Sequence, residues 1–139
     1  MSETTIQEAA CACGQLRMRV RGGPEYVSSC GCQACQRRTG APFGVTAFYL
    51  DEQIVEQAGE ARTWRRIAES GNWLDYSFCP TCGSTVSWRA QARPGKVMLA
   101  AGAFADPAYP PPQRLIWAEH CADWARPPEG VPVFPKGPA

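Results

Sequence analysis

Apolar and polar residues alternate along this chain in short runs, each broken within a few residues by glycine, proline or a polar cluster. Runs rich in Val, Tyr, Phe, Trp and Thr fall at 15–20, 26–29, 43–50, 53–57, 63–67, 73–78, 85–88, 97–101 and 115–117. Branched and aromatic side chains at a period near two fit a pleated surface with one face buried, so each run predicts a β-strand. One stretch departs from this pattern. Residues 33–39 predict a single short helical turn, stopped by Gly40 and Pro42. No sequence unit recurs at a fixed period, which excludes a solenoid. The expected fold class is therefore all-β with one short helix.

Proline then divides the chain. The segment Asp106-Pro-Ala-Tyr-Pro-Pro-Pro112 is incompatible with a helix or a central strand, and the chain beyond Arg126 carries five more prolines. Both are expected to run extended over the surface. The resulting division is an N-terminal tail at 1–10, one β domain at 11–125 and a proline-rich C-terminal strap at 126–139. A length of 139 residues suits one domain with a modest core, to which bound metal would add stability.

Charge narrows the partners. With 14 basic and 13 acidic residues the formal net charge is +1, and there is no concentrated positive field of the kind that phosphate backbones or anionic membranes require. The residues after Met1 form neither a basic n-region nor an apolar core, and no run approaches the roughly 18 apolar residues of a membrane span. The expectation is a cytoplasmic protein that binds neither nucleic acid nor membrane and acts on small molecules.

The cysteines carry the chemistry. Seven of eight fall in three clusters, Cys11-Ala-Cys13, Cys30-Gly-Cys32-Gln-Ala-Cys35 and Cys79-Pro-Thr-Cys82. In a reducing compartment such clusters are metal ligands or redox thiols more often than disulfides, and thiolates this close repel unless a cation is shared among them. Four thiolates close a tetrahedral zinc site, whereas three leave a position open. Cys13 and Cys82 are each followed by glycine, which can take positive φ and turn backbone N–H groups toward a thiolate. These two pairs resemble jaws, so Cys11, Cys13, Cys79 and Cys82 are expected to hold one structural zinc.

Cys30, Cys32 and Cys35 lead into the predicted helix with no obvious fourth ligand. Three thiolates donate so much charge that a zinc ion held by them is a weak Lewis acid for water and favours another thiol. A thiol bound there loses its proton near neutral pH and can attack a carbonyl carbon. These three cysteines are the expected catalytic centre. Arg37 and Arg38 follow directly and are placed either to bind the carboxylates of a peptide-like thiol or on a solvated helix face. His120, the sole histidine, and Cys121, the sole unclustered cysteine, are available to cap the metal or move protons, or are simply surface and core residues. Most of Trp64, Trp73, Tyr76, Phe78 and Trp88 are expected in the core, with one or two walling a pocket. Two rival readings stay open: a non-catalytic zinc-binding protein-interaction module with two structural metals, and a thiol redox protein acting through Cys121.

The order Cys-x-Cys-Gly, then Ser29-Cys-x-Cys-x-x-Cys35 with Arg-Arg-Thr-Gly-Ala-Pro-Phe43, then Phe78-Cys-Pro-x-Cys-Gly-Ser84 resembles the glutathione-dependent formaldehyde-activating enzyme family, which includes centromere protein V. The likeness runs from about Cys11 to Trp124 and takes in Ala100-Ala-Gly-Ala-Phe104 with its following Asp-Pro and Ile116-Trp117. The resemblance implies a zinc-anchored β-tent of small twisted antiparallel sheets, similar to methionine sulfoxide reductase B. It also implies two zincs per chain, one structural on Cys11, Cys13, Cys79 and Cys82 and one catalytic on Cys30, Cys32 and Cys35, with glutathione as co-substrate. The activity it implies is addition of glutathione to formaldehyde, or the reverse, a carbon–sulfur lyase reaction of the S-(hydroxymethyl)glutathione synthase type. The chain departs from the family pattern at Gly31, where histidine commonly separates the first two cysteines of the triad, and at Leu115, where histidine often precedes Ile-Trp.

Overall fold

All nine apolar runs form strands in the computed structural model, which describes residues 2–137. In chain order the elements are β1 (Ile6–Ala10), β2 (Arg17–Arg21), β3 (Tyr26–Cys30), α1 (Gln33–Thr39), β4 (Gly44–Leu50), β5 (Ile54–Ala58), β6 (Arg62–Ile67), β7 (Trp73–Phe78), β8 (Thr85–Ala90), β9 (Lys96–Ala100) and β10 (Leu115–Ile116). Short 3₁₀ turns occupy Asp51–Gln53, Ala101–Phe104 and Ala118–His120. The helix has the predicted bounds. Its last turn closes on Gly40, whose left-handed φ of 65° lets its N–H reach the Gln36 carbonyl. No helix among the described residues is long and apolar enough to cross a membrane.

The strands form two sheets, one of three strands in the order β1-β2-β5 and one of seven in the order β10-β3-β4-β9-β8-β7-β6. The expected all-β architecture of small, mainly antiparallel sheets holds, and the larger sheet has seven strands. It is also mixed, because β10 runs parallel to β3. That parallel pairing follows from the proline-rich stretch 106–112, which carries the chain across before β10 instead of turning it back in a hairpin. Residues 6–10, expected to belong to a tail, form β1 and pair with β2 from Ile6↔Arg21 to Ala10↔Arg17. Alanine and glutamate dominate this strand and only Ala9 is buried, so it carried little of the branched or aromatic signal by which strands are read.

The alternation of side chains places the core and the site on opposite faces of the seven-stranded sheet. Val27, Ala47, Tyr49, Val97 and Leu99 point toward Ala9, Leu16, Met18 and Val20 of the smaller sheet and its loop, forming the main core together with Cys11 and Cys79. The intervening positions share the other face: Ser28 and Cys30 pair across to Thr46 and Gly44, Phe48 to Met98, Met98 to Trp88, Trp88 to Tyr76, and Leu74 to Arg66. Tyr76, Trp88 and Met98 are the buried centre of this second face. Two proline-rich segments hold the edges, and neither is extended throughout. Tyr109 N–H turns back to the Asp106 carbonyl, where Pro107 at the second position of the turn presets φ, and Val131 N–H turns back to the Pro128 carbonyl. Tyr109, in the 106–112 stretch, bonds the Tyr49 hydroxyl at 2.5 Å and stacks on Phe104 at 4.7 Å. The chain near 132–134 runs beside β10, where Leu115 donates to the Pro132 carbonyl and Phe134 donates to the Leu115 carbonyl.

Candidate active site

Two loops of matching geometry bring four cysteines together. In the first, Cys11 N–H donates to the Leu16 carbonyl at 2.9 Å and Gly14 N–H to the Cys11 carbonyl at 3.0 Å; in the second, Cys79 N–H donates to Ser84 at 2.9 Å and Gly83 N–H to Cys79 at 2.8 Å. Gly14 and Gly83 have φ of 83° and 80°, a turn conformation that costs glycine nothing. The four sulfurs lie within 4.8 Å of one another, with Cys11–Cys13 at 3.6 Å and Cys13–Cys79 at 3.7 Å. A tetrahedral zinc with bonds near 2.3 Å needs sulfurs about 3.8 Å apart, so this set fits the ion. Backbone N–H groups of Leu16, Thr81 and Cys82 point at the sulfurs. Gln15 Nε2 reaches Cys79 Sγ at 3.0 Å, and the Ser84 hydroxyl accepts from Ala12 N–H while contacting Cys82 Sγ at 3.4 Å. The Ser84 hydroxyl and neighbouring N–H groups hold the Cys82 thiol down to about 5.

Cys30, Cys32 and Cys35 form the second set, again with all sulfurs within 4.8 Å. Cys30 ends β3 on the face opposite the core, Cys32 caps α1, and Cys35 is buried one turn into the helix, its N–H donating to Cys32 Sγ at 3.4 Å. Hydrogen bonds from the Cys30 and Cys35 thiols, then the Cys35 N–H and the charge of Arg66, hold Cys32 far below the ordinary thiol range. Cys30 is raised by bonding to Cys32 and Cys35 and by burial; Cys35 is drawn down by Cys30 but raised overall by Cys32 and burial. Without a cation the cluster thus holds one charge easily and resists the next two. No histidine, carboxylate or further cysteine joins it among the described residues.

The triad opens onto a cavity of about 510 Å³ on the second face of the large sheet. Phe48, Trp73, Tyr76, Trp88, Met98 and Trp117 supply its apolar walls. Arg38, Arg66, Arg93 and Arg114 also line it, against one carboxylate, Glu69. Arg38 lies over Trp88 at 4.4 Å, and Arg114 bonds Ser28 Oγ at 2.9 Å. Arg37 is exposed and stands outside this lining. Of the five aromatic candidates, Tyr76, Trp88 and Trp73 reach the cavity, Trp64 is exposed and stacks on Tyr76, and Phe78 does neither.

His120 lines the cavity mouth, its ring stacked on Trp117 at 5.6 Å. Trp117 has φ of 55°, a strained value for a large residue, and both rings line the cavity onto which the triad opens. Gln36 Nε2 fixes this turn to the cysteine loop by donating to the carbonyls of Gly31 at 2.8 Å and His120 at 2.7 Å. Cys121 packs behind Gly31 and near the Pro42 carbonyl, and burial pushes its thiol up, contrary to what a redox nucleophile needs.

A family model for glutathione-dependent formaldehyde-activating enzyme matches residues 6–120. The chain belongs to this family. The match begins at β1, in agreement with the strand found there. A crystal structure of a Rhodobacter sphaeroides protein, a structural-genomics target, is 16% identical, with 91% of this chain and 98% of that one covered at a TM-score of 0.54, a likeness of fold. No curated protein matches the chain significantly. The residues of the two sites that the sequence does not single out include Gln15, Ser84, Arg66, Glu69, Arg93 and Arg114. Arg66 was open to discovery, since it shares strand parity with Trp64, whereas nothing in residue type marked Gln15 as a partner of Cys79.

Proposed function

We propose that the protein is a zinc-dependent enzyme of the carbon–sulfur lyase type that joins a thiol such as glutathione to a small aldehyde such as formaldehyde, or releases it, in the cytoplasm. The observation that carries this reading is the convergence of Cys30, Cys32 and Cys35 on the cavity with no fourth protein ligand in their cluster. The interaction-module alternative needs that ligand. A zinc ion on these sulfurs would supply an open position that favours thiolate over thiol.

The chain's own residues supply the rest. Arg93 and Arg114 present guanidiniums to the carboxylates of a peptide thiol, and Glu69 is a partner for its ammonium group. Trp88, Tyr76 and Trp117 exclude water from the reacting carbon. As the sulfur lone pair forms the C–S bond, the carbonyl π electrons pass to oxygen, which takes a proton from water or from His120; release runs the same steps backward. Glutathione-dependent loss of formaldehyde is measured with and without zinc-loaded protein. Acceleration that disappears in Cys32→Ser supports the proposal, and a rate equal to the uncatalysed one overturns it.

A further inference from the structure

Three ionised cysteines around a divalent ion leave one surplus negative charge, and a thiolate in the fourth position raises it to two. Such charge in a half-buried site needs compensation, because solvent reaches it incompletely. Two guanidiniums flank the triad. Arg38 lies three residues beyond Cys35 on α1 and so shares its helix face. It crosses the space left by Gly44, where a Cβ would sit 2.7 Å from Arg38 Nη2 and 3.5 Å from Cys35 Cβ. Its plane rests on Trp88, and its Nε is buried without a hydrogen-bond partner among the described residues. Arg66 arrives from β6, its Nε and Nη2 at 3.4 and 3.3 Å from the Tyr76 hydroxyl.

Neither arginine pairs with a carboxylate among the described residues, although the adjacent Arg65 is held by both oxygens of Asp75 at 2.7 and 2.9 Å. Arg65 faces solvent, and Arg66 faces the cavity. Both arginines line the same cavity as Cys30, Cys32 and Cys35. We infer that Arg38 and Arg66 are the counter-charges of the three-cysteine centre, offsetting the negative charge gained when a thiolate enters, whatever else that thiol carries. This rests on the open-centre reading above and adds the residues that make a second anion tolerable there.

The test replaces zinc with Co²⁺ and reads thiolate-to-cobalt absorption, with Cys32→Ser supplying the spectrum of the four-cysteine cluster alone. The protein is titrated with 2-mercaptoethanol, which has no carboxylate, and with glutathione. Arg38→Gln and Arg66→Gln are each expected to weaken both thiols by a similar factor, roughly tenfold or more, while Arg38→Lys and Arg66→Lys retain most of the affinity. Since the two arginines lie on separate elements, misfolding of one glutamine variant leaves the other to decide. Loss of glutathione affinity with 2-mercaptoethanol unchanged overturns the inference in favour of carboxylate recognition. Unchanged affinity for both thiols overturns it outright. A wild-type spectrum identical to that of Cys32→Ser removes the centre itself, and the proposed function falls with it.

Discussion

A Cβ placed on Gly31 would lie 2.1 Å from Cys121 Sγ, so the sulfur occupies the space that any side chain at position 31 would enter. Position 31 is thus a glycine with a cysteine packed behind it. Gly31→Ala is expected to cost about 1–3 kcal/mol through overpacking and to loosen the loop between Cys30 and Cys32. Cys121→Ala alone should change little, and the double variant should recover part of the loss. Recovery stays incomplete because the Trp117 carbonyl is also 3.0 Å from that Cβ. Denaturant unfolding of the four proteins gives the coupling energy, expected near 1 kcal/mol; additive effects would refute the packing account.

Ser84 tunes the closed cluster. Its hydroxyl stabilises the Cys82 thiolate, so Ser84→Ala should move that thiol from about 5 back toward the ordinary value of 9.0. A depressed thiol adds stability to the metal-free fold above about 9 and loses it as pH falls toward about 5, so the variant narrows this window from its acid side. Protons then compete with zinc at higher pH. Zinc affinity should fall about tenfold, and half-release on acidification should occur at a higher pH than in the wild type, as a chromogenic chelator would record.

The two clusters should separate stability from activity. Cys79 is fully buried, and its contact with Cys13 joins residues 66 apart in sequence. Losing that closure in Cys79→Ser should lower the midpoint of thermal unfolding by on the order of 10 °C or more. Cys32 is half-buried at a pocket mouth, so Cys32→Ser should shift the midpoint by only a few degrees, roughly, while abolishing activity. Calorimetry beside the formaldehyde assay checks both.

Local physics explains what could be read without coordinates. The strands at 26–29, 73–78 and 97–101 announce themselves through branched and aromatic residues at period two, and Gly40 marks the helix end because that position needs positive φ. Each cysteine cluster is equally local, since Cys-x-Cys and Cys-x-x-Cys confine sulfurs to one turn, whereas joining Cys11 and Cys13 to Cys79 and Cys82 rests on the matching glycines that follow each pair. β1 is hard to read from sequence because its alanines and glutamate carry little of the branched or aromatic signal of a strand. Arg37 and Arg38 could not be told apart by type; helix phase puts Arg38 on the face of Cys35 and leaves Arg37 in solvent. Arg66 follows from its strand parity with Trp64, whereas Arg114 and Gln15 act across loop contacts formed only in the folded chain, of which neighbouring residues carry no trace.

Metal stoichiometry with X-ray absorption at the zinc edge tests the central claim most directly. Two zincs per chain are predicted, one bound by four sulfurs and the other by three sulfurs and a nitrogen or oxygen ligand, with added thiol raising the second to four sulfurs. A single zinc per chain, or two ions already saturated with protein ligands and unchanged by thiol, would contradict it.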